Sequence, residues 1–336
     1  MERRAGARRK VLRGVLGAAT CLLCAGACSG FSSPPAAADS GAQPPGDGGV
    51  ALTDGSAPSA EGGGGAACVA GTAFGAGLVV PIDGAYSVEA ARFTPDRTTA
   101  YLSLCPASGD KTQCDLYTSQ FSPTLAKFTA FTKMNGVSTP NKYDAYPTMT
   151  PDGSTMVFGS SRGSSVGVYV ARAQNGSFEA PIISRLDVAG TDFGNEPYVL
   201  RDGQTLFVSA GKNANSRSDL YRIKGAPPWT AAAAEPVPGV NLPADNELAP
   251  VVSDDEREIF FASNRLTPNV DFALDIFTAT RALPTDTFST PERVASLSSA
   301  GIDWPLWLSP DGCELYYINK INNVATMYVA RRVARP

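Results

Sequence analysis

The stretch Thr150-Pro151-Asp152-Gly153-Ser154-Thr155-Met156-Val157-Phe158-Gly159-Ser160-Ser161-Arg162 decides the fold, because the chain writes it five times. The other copies are TPDRTTAYLSLCP at 94–106, LRDGQTLFVSAGK at 200–212, SDDEREIFFASNR at 253–265 and SPDGCELYYINK at 309–320. Their anchoring aspartates, Asp96, Asp152, Asp202, Asp255 and Asp311, fall 56, 50, 53 and 56 residues apart. A period of this length is the mark of a repeat architecture.

Each copy follows the same physical grammar. Pro presets φ, Asp hydrogen-bonds its own backbone and Gly accepts a positive φ, so Pro-Asp-Gly is a tight turn and the five aspartates are structural. The apolar, aromatic run that follows has the length and residue types of a buried strand. A polar loop leads to a second strand: Asp115-Leu116-Tyr117, Val168-Tyr169-Val170, Asp219-Leu220-Tyr221, Asp275-Ile276-Phe277 or Met327-Tyr328-Val329. One strand lies upstream of each turn, and a less regular one closes the unit. Four strands per repeat, with 33 Gly and 26 Pro to turn them, describe the blades of an all-β propeller.

The pattern Ser-Pro-Asp-Gly, an apolar-aromatic pair and Ser-x-Arg, followed by Asp-Leu-Tyr or Asp-Ile-Phe, resembles the TolB-like, WD40-related propeller repeat. The resemblance covers nearly all of residues 68–336. It implies a non-catalytic interaction platform. TolB itself has six blades, which makes a six-bladed ring the alternative. Only five turn motifs occur here, so five blades are expected.

The last repeat ends without a fourth strand. Residues 74–81 resemble the fourth strands of other blades and are expected to complete it as a clasp, since an open ring would leave two sheet edges unpaired. Four cysteines lie in the repeat region, and export favours their oxidation. Cys105 and Cys114 flank one polar loop and are expected to bridge it. Cys68 and Cys313 would then staple the closure; four buried or free thiols are the alternative.

Residues 1–27 have a basic start and an apolar, small-residue run too short to span a membrane, as in a secretory signal peptide. Ala25-Gly26-Ala27-Cys28 resembles a lipobox, which implies that Cys28 is lipidated; otherwise it is an ordinary cleavage site. Arg8-Arg9-Lys10-Val11-Leu12-Arg13 resembles the twin-arginine export motif. Residues 28–67 have almost nothing to bury and read as a flexible linker. Ser29 after the cysteine implies, by lipoprotein analogy, the outer membrane, with the domain periplasmic or on the surface. The lipid would be its sole membrane contact.

Composition excludes several chemistries. The chain has no histidine, which removes the Ser-His-Asp triad and every His-ligated metal site. The formal charge is −4. Six of the basic side chains lie in residues 1–13 against one acid, so the remainder is more acidic still. Such a body offers no basic face to nucleic acid. A monomer binding an envelope protein or peptide is expected.

One acid recurs near the start of each inner strand: Glu89, Asp144, Glu196, Glu247 and Asp303. In a propeller these could ring one mouth of the axial channel and attract a cation or a basic peptide, with calcium as the plausible metal. They could equally be strand-edge residues capping loops. Arg162, Lys212, Arg265 and Lys320 end the second strands and could pair with nearby turn acids. The alternative function is a propeller glycoside hydrolase or lyase using channel carboxylates. No nucleophile elbow, phosphate loop or cysteine-pair zinc site supports another enzyme class.

Overall fold

The strand β1 (Leu78–Val80) opens the fold, but it belongs to the last blade. The first blade runs β2 (Tyr86–Phe93), β3 (Thr99–Pro106) and β4 (Asp115–Ser122), with β5 (Lys127–Phe128) and β6 (Thr132–Lys133) both paired to β4. The second is β7 (Asp144–Met149), β8 (Thr155–Ser160), β9 (Gly167–Gln174) and β10 (Ser177–Leu186). The third is β11 (Phe193–Val199), β12 (Thr205–Gly211), β13 (Asp219–Lys224) and β14 (Ala234–Pro236). The fourth is β15 (Glu247–Val252), β16 (Glu258–Ser263), β17 (Asp275–Thr280) and β18 (Glu292–Arg293). The fifth is β19 (Ile302–Leu308), β20 (Glu314–Ile321) and β21 (Val324–Arg331), completed by β1. These ranges come from a computed structural model describing residues 68–332, apart from 70, 84, 109, 189–190, 192, 212–216, 230–233, 268–272 and 323. The leader 1–27, Cys28, the linker 29–67 and Lys212 lie outside the described residues.

Every sheet is antiparallel, and β2, β7, β11, β15 and β19 each pack against the next around an axis. The protein is therefore a five-bladed β-propeller. The second strands supply the core: β8 and β12 are buried along their whole length, and Phe158, Phe207, Phe260, Phe261 and Tyr316 are among the largest fully buried side chains.

The turns explain why these runs begin where they do. Asp152 Oδ1 accepts from Thr150 Oγ1 at 2.6 Å and from Ser154 N at 3.0 Å. Asp96, Asp202, Asp255 and Asp311 make the same kind of bond to the backbone N–H two residues on. These bonds hold the Asp96, Asp152, Asp202 and Asp311 carboxyls below the usual aspartate range. The third turn residue is left-handed in all five: Gly153, Gly203 and Gly312 at φ 69°, 66° and 69°, and Arg97 and Glu256 at 59° and 56°.

The ring closes as a clasp. Leu78 pairs with Val329 and Val80 with Met327, and an isolated bridge joins Phe74 to Arg332. Disulfides join Cys68 to Cys313 and Cys105 to Cys114, as the cysteine positions predict.

Candidate functional site

Every inner strand carries a bulge near its middle. Pairing with the second strand slips between Val88 and Ala90, Ala145 and Thr148, Asn195 and Tyr198, Leu248 and Val251, and Pro305 and Trp307. Three bulge residues, Tyr146, Glu196 and Ala249, take φ of 53°, 54° and 49°. A bulge re-aims its side chain, and here it separates the five acids into two sets.

Asp144, Glu247 and Asp303 sit two or three residues before the bulge of their strands, opposite Ser160, Ser263 and Asn319. All three are fully buried and reach the loop behind them rather than the channel. Asp144 accepts from Thr139 N at 2.6 Å, Ser160 Oγ at 2.5 Å and Arg162 Nη2 at 3.0 Å. Glu247 repeats this with Leu242 N, Ser263 Oγ and Arg265 Nη2. Asp303 accepts from Ser299 N and Oγ and from Asn319 Nδ2. They are latches between inner strand, second strand and preceding loop. Arg162 and Arg265 thus pair with inner-strand acids, not turn acids. In blade three the latch register is Gly194, and in blade one Val88, so neither blade has an acid there.

Glu89 and Glu196 stand apart from the latches and line one cavity of about 350 Å3. All five inner strands contribute to it: Glu89, Tyr146, Glu196, Ala249 and Trp304 are one residue from each. It is the axial channel at the end where the inner strands begin. Tyr143, Lys111 and Lys320 complete its chemistry. The Glu89 carboxylate is ion-paired to Lys111 Nζ at 3.1 Å, and its backbone oxygen accepts from Trp304 Nε1 at 3.1 Å, joining the first and fifth blades. Glu196 Oε2 accepts from Ser209 Oγ at 2.8 Å and Ala249 N at 2.7 Å. Burial nevertheless pushes the Glu196 carboxyl up. Burial, reinforced by nearby carboxylates, also keeps the Tyr143 and Tyr146 phenols protonated, well above their ordinary range.

The mouth is therefore mixed in charge, two acids against two bases, with three aromatic rings. The five acids do not form one ring, because three of them are consumed as latches. Among the described residues no three His, Cys, Asp or Glu side chains gather where they could hold a metal. Sequence reasoning missed Tyr143, Tyr146, Trp304 and Lys111. The available signal was the aromatic residue beside each of two acids, Tyr143-Asp144 and Asp303-Trp304. Lys111 arrives through the loop that Cys105–Cys114 closes.

Four of the five residues just before the inner-strand ends, Arg92, Thr148, Tyr198 and Trp307, line a smaller cavity of about 90 Å3 at the opposite, turn-bearing end. The fifth equivalent is Val251, by its pairing with Phe260.

No family model matches the sequence, and no curated protein sequence does. Solved structures are similar in shape. A structure described as TolB from Agrobacterium tumefaciens is 14% identical, covering 77% of each chain at a TM-score of 0.46. TolB from Acinetobacter baumannii is 12% identical over 76% of this chain and 54% of its own, at 0.41. A thermostable family-43 glycoside hydrolase is 12% identical over 77% and 98%, at 0.49. The fold, a five-bladed propeller whose ring is closed by a clasp, stands on the strand pairings themselves, and no activity is carried over from these neighbours.

Proposed function

We propose that the protein is a non-catalytic binding module of the bacterial cell envelope, tethered through Cys28 and the linker 29–67. Its ligand is a protein segment, which enters the wide mouth of the channel. The observation behind this reading is the 350 Å3 cavity to which every blade contributes. Its aromatic walls suit an inserted apolar or aromatic side chain, and its Glu89–Lys111 rim suits the flanking backbone and polar groups. Two disulfides fit an exported protein. The test is capture from native envelopes, comparing the wild type with Trp304→Ala and Lys111→Ala. A partner retained by the wild type and lost by both variants supports the reading. Equal capture by all three rejects it.

One observation favours a second reading. Glu196, its carboxyl raised by burial, shares the cavity with a second carboxyl, Glu89, the pair of acids that glycoside hydrolysis uses. A glycoside hydrolase would turn over chromogenic glycosides and lose that turnover in both Glu89→Gln and Glu196→Gln. No turnover by the wild type removes this reading.

A further inference from the structure

Arg92 is the anomaly of the axis. By register its equivalents in the other inner strands are Thr148, Tyr198, Val251 and Trp307, so one position in five is charged. Its side chain is 3% exposed, and its guanidinium carbon lies 4.8 Å from the centre of the Tyr198 ring. Nη1 makes one long bond, 3.4 Å, to the Ala91 carbonyl, while Nε and Nη2 are buried with no partner. Among the described residues the other two buried arginines, Arg281 and Arg332, each hold a carboxylate, Glu256 and Glu258. Burial pulls the Arg92 guanidinium down only to about 10, so it remains a cation near neutrality.

A buried guanidinium with two unpartnered N–H edges is costly to keep. Arg92 opens on the 90 Å3 cavity at the turn-bearing end of the channel. Asp254, which lines that cavity, is already engaged by Arg201 Nε at 2.9 Å. Glu196 attracts Arg92 through space without bonding to it, so the open Nε and Nη2 edge is left for something that enters. We infer that this end of the channel is an anion site in which the Arg92 fork binds a carboxylate. Size sets the ligand class. An apolar cavity of about 150 Å3 admits benzene, so this smaller one suits a carboxylate on a short stem. The planar fork matches a carboxylate bidentately, and the Tyr198 and Trp307 rings flank the stem. The group arrives as a small free acid or as the C-terminus of a chain threaded into the mouth.

The site opens at the opposite end from the Glu89–Glu196 cavity, although Arg92 and Glu196 interact through the axis, and it does not rest on the function proposed for that cavity. The test is thermal unfolding of the full protein in sodium acetate against sodium chloride at matched ionic strength. The wild type should show a saturable rise in Tm with acetate alone. Arg92→Met should lose that response while melting no lower than the wild type in chloride, because it removes an uncompensated buried cation. Should Arg92→Met not fold, Arg92→Lys keeps the charge without the fork and should raise the acetate midpoint about tenfold. A short peptide with a free C-terminus, compared with its amide, separates the sources. A response to the free-acid peptide assigns a chain end, and a response to acetate alone assigns a small acid. Identical shifts in acetate and chloride with no peptide response, an acetate response retained by Arg92→Met, or an unchanged acetate midpoint in Arg92→Lys overturns the site.

Discussion

Arg332 Nη2 donates to Glu258 Oε2 at 2.5 Å, so the end of the fifth blade is tied to the second strand of the fourth. The same guanidinium donates to the carbonyls of Gly312 and Thr72 and lies 4.4 Å from the Phe74 ring centre, with Phe260 on a further side. One side chain thus gathers the clasp, the last turn and a neighbouring blade. Arg332→Ala leaves Glu258 unpaired and opens a gap between the two rings. It should cost about 3 kcal/mol in urea unfolding. Arg331→Ala, which removes an exposed partner of Glu314, should cost about 0.5 kcal/mol or less. Equal losses in the two variants would show that Arg332 is not the closure's anchor.

The two disulfides should differ in value. Cys68–Cys313 closes a separation of 245 residues, Cys105–Cys114 one of 9. On chain-entropy grounds the long loop is worth about 5 kcal/mol and the short one about 3 kcal/mol. A Cys68→Ser, Cys313→Ser double variant should therefore lower the unfolding midpoint more than Cys105→Ser, Cys114→Ser does. The reverse order would mean that β1 pairing holds the ring without its staple.

What was legible in the sequence was local or periodic. The turn, the aromatic strand after it and the spacing of Asp96 to Asp311 depend on neighbours in the chain, and they recur, so five blades and the clasp could be read directly. The acids could not be sorted that way. Asp144 and Glu196 look alike in sequence, but a bulge decides that one enters a latch and the other the channel, and bulges follow from pairing between strands. Arg92 was hidden for a related reason. Within Ala90-Ala91-Arg92-Phe93 it reads as an ordinary strand residue, and only the register that sets it level with Thr148, Tyr198, Val251 and Trp307 exposes its oddity.

Glu256 and Arg97 offer a paired prediction about degenerate turns. Both are left-handed where the other three copies have Gly. Replacing either with Gly should relieve about 1 kcal/mol of backbone strain. Glu256, however, receives Arg222 at 3.1 Å, Lys224 at 2.8 Å and the buried Arg281 at 3.2 Å. Losing that hub costs about 3 kcal/mol or more, so Glu256→Gly should be a net destabilisation of about 2 kcal/mol. Arg97 meets Glu314, which keeps Arg331 when Arg97 is gone. Arg97→Gly should therefore lie within about 1 kcal/mol of the wild type. Chemical denaturation of the two variants side by side checks both numbers.

The latch at Glu247 should give stability a pH dependence of definite sign. Burial pushes its carboxyl up to about 7, against an ordinary value of 4.5, although Arg265 and the Leu242 N–H pull the other way. A raised carboxyl binds its proton more tightly in the folded state than in the unfolded one. Its contribution is therefore complete below about 4.5 and is lost as pH rises through about 7. Gln at this position keeps the shape and cannot ionise. The Tm of the wild type minus that of Glu247→Gln should then be larger at pH 5 than at pH 8. If instead the Arg265 pair dominates, the carboxylate gains by being charged and the difference grows toward pH 8. Melting curves of both proteins across that range decide which force governs the latch.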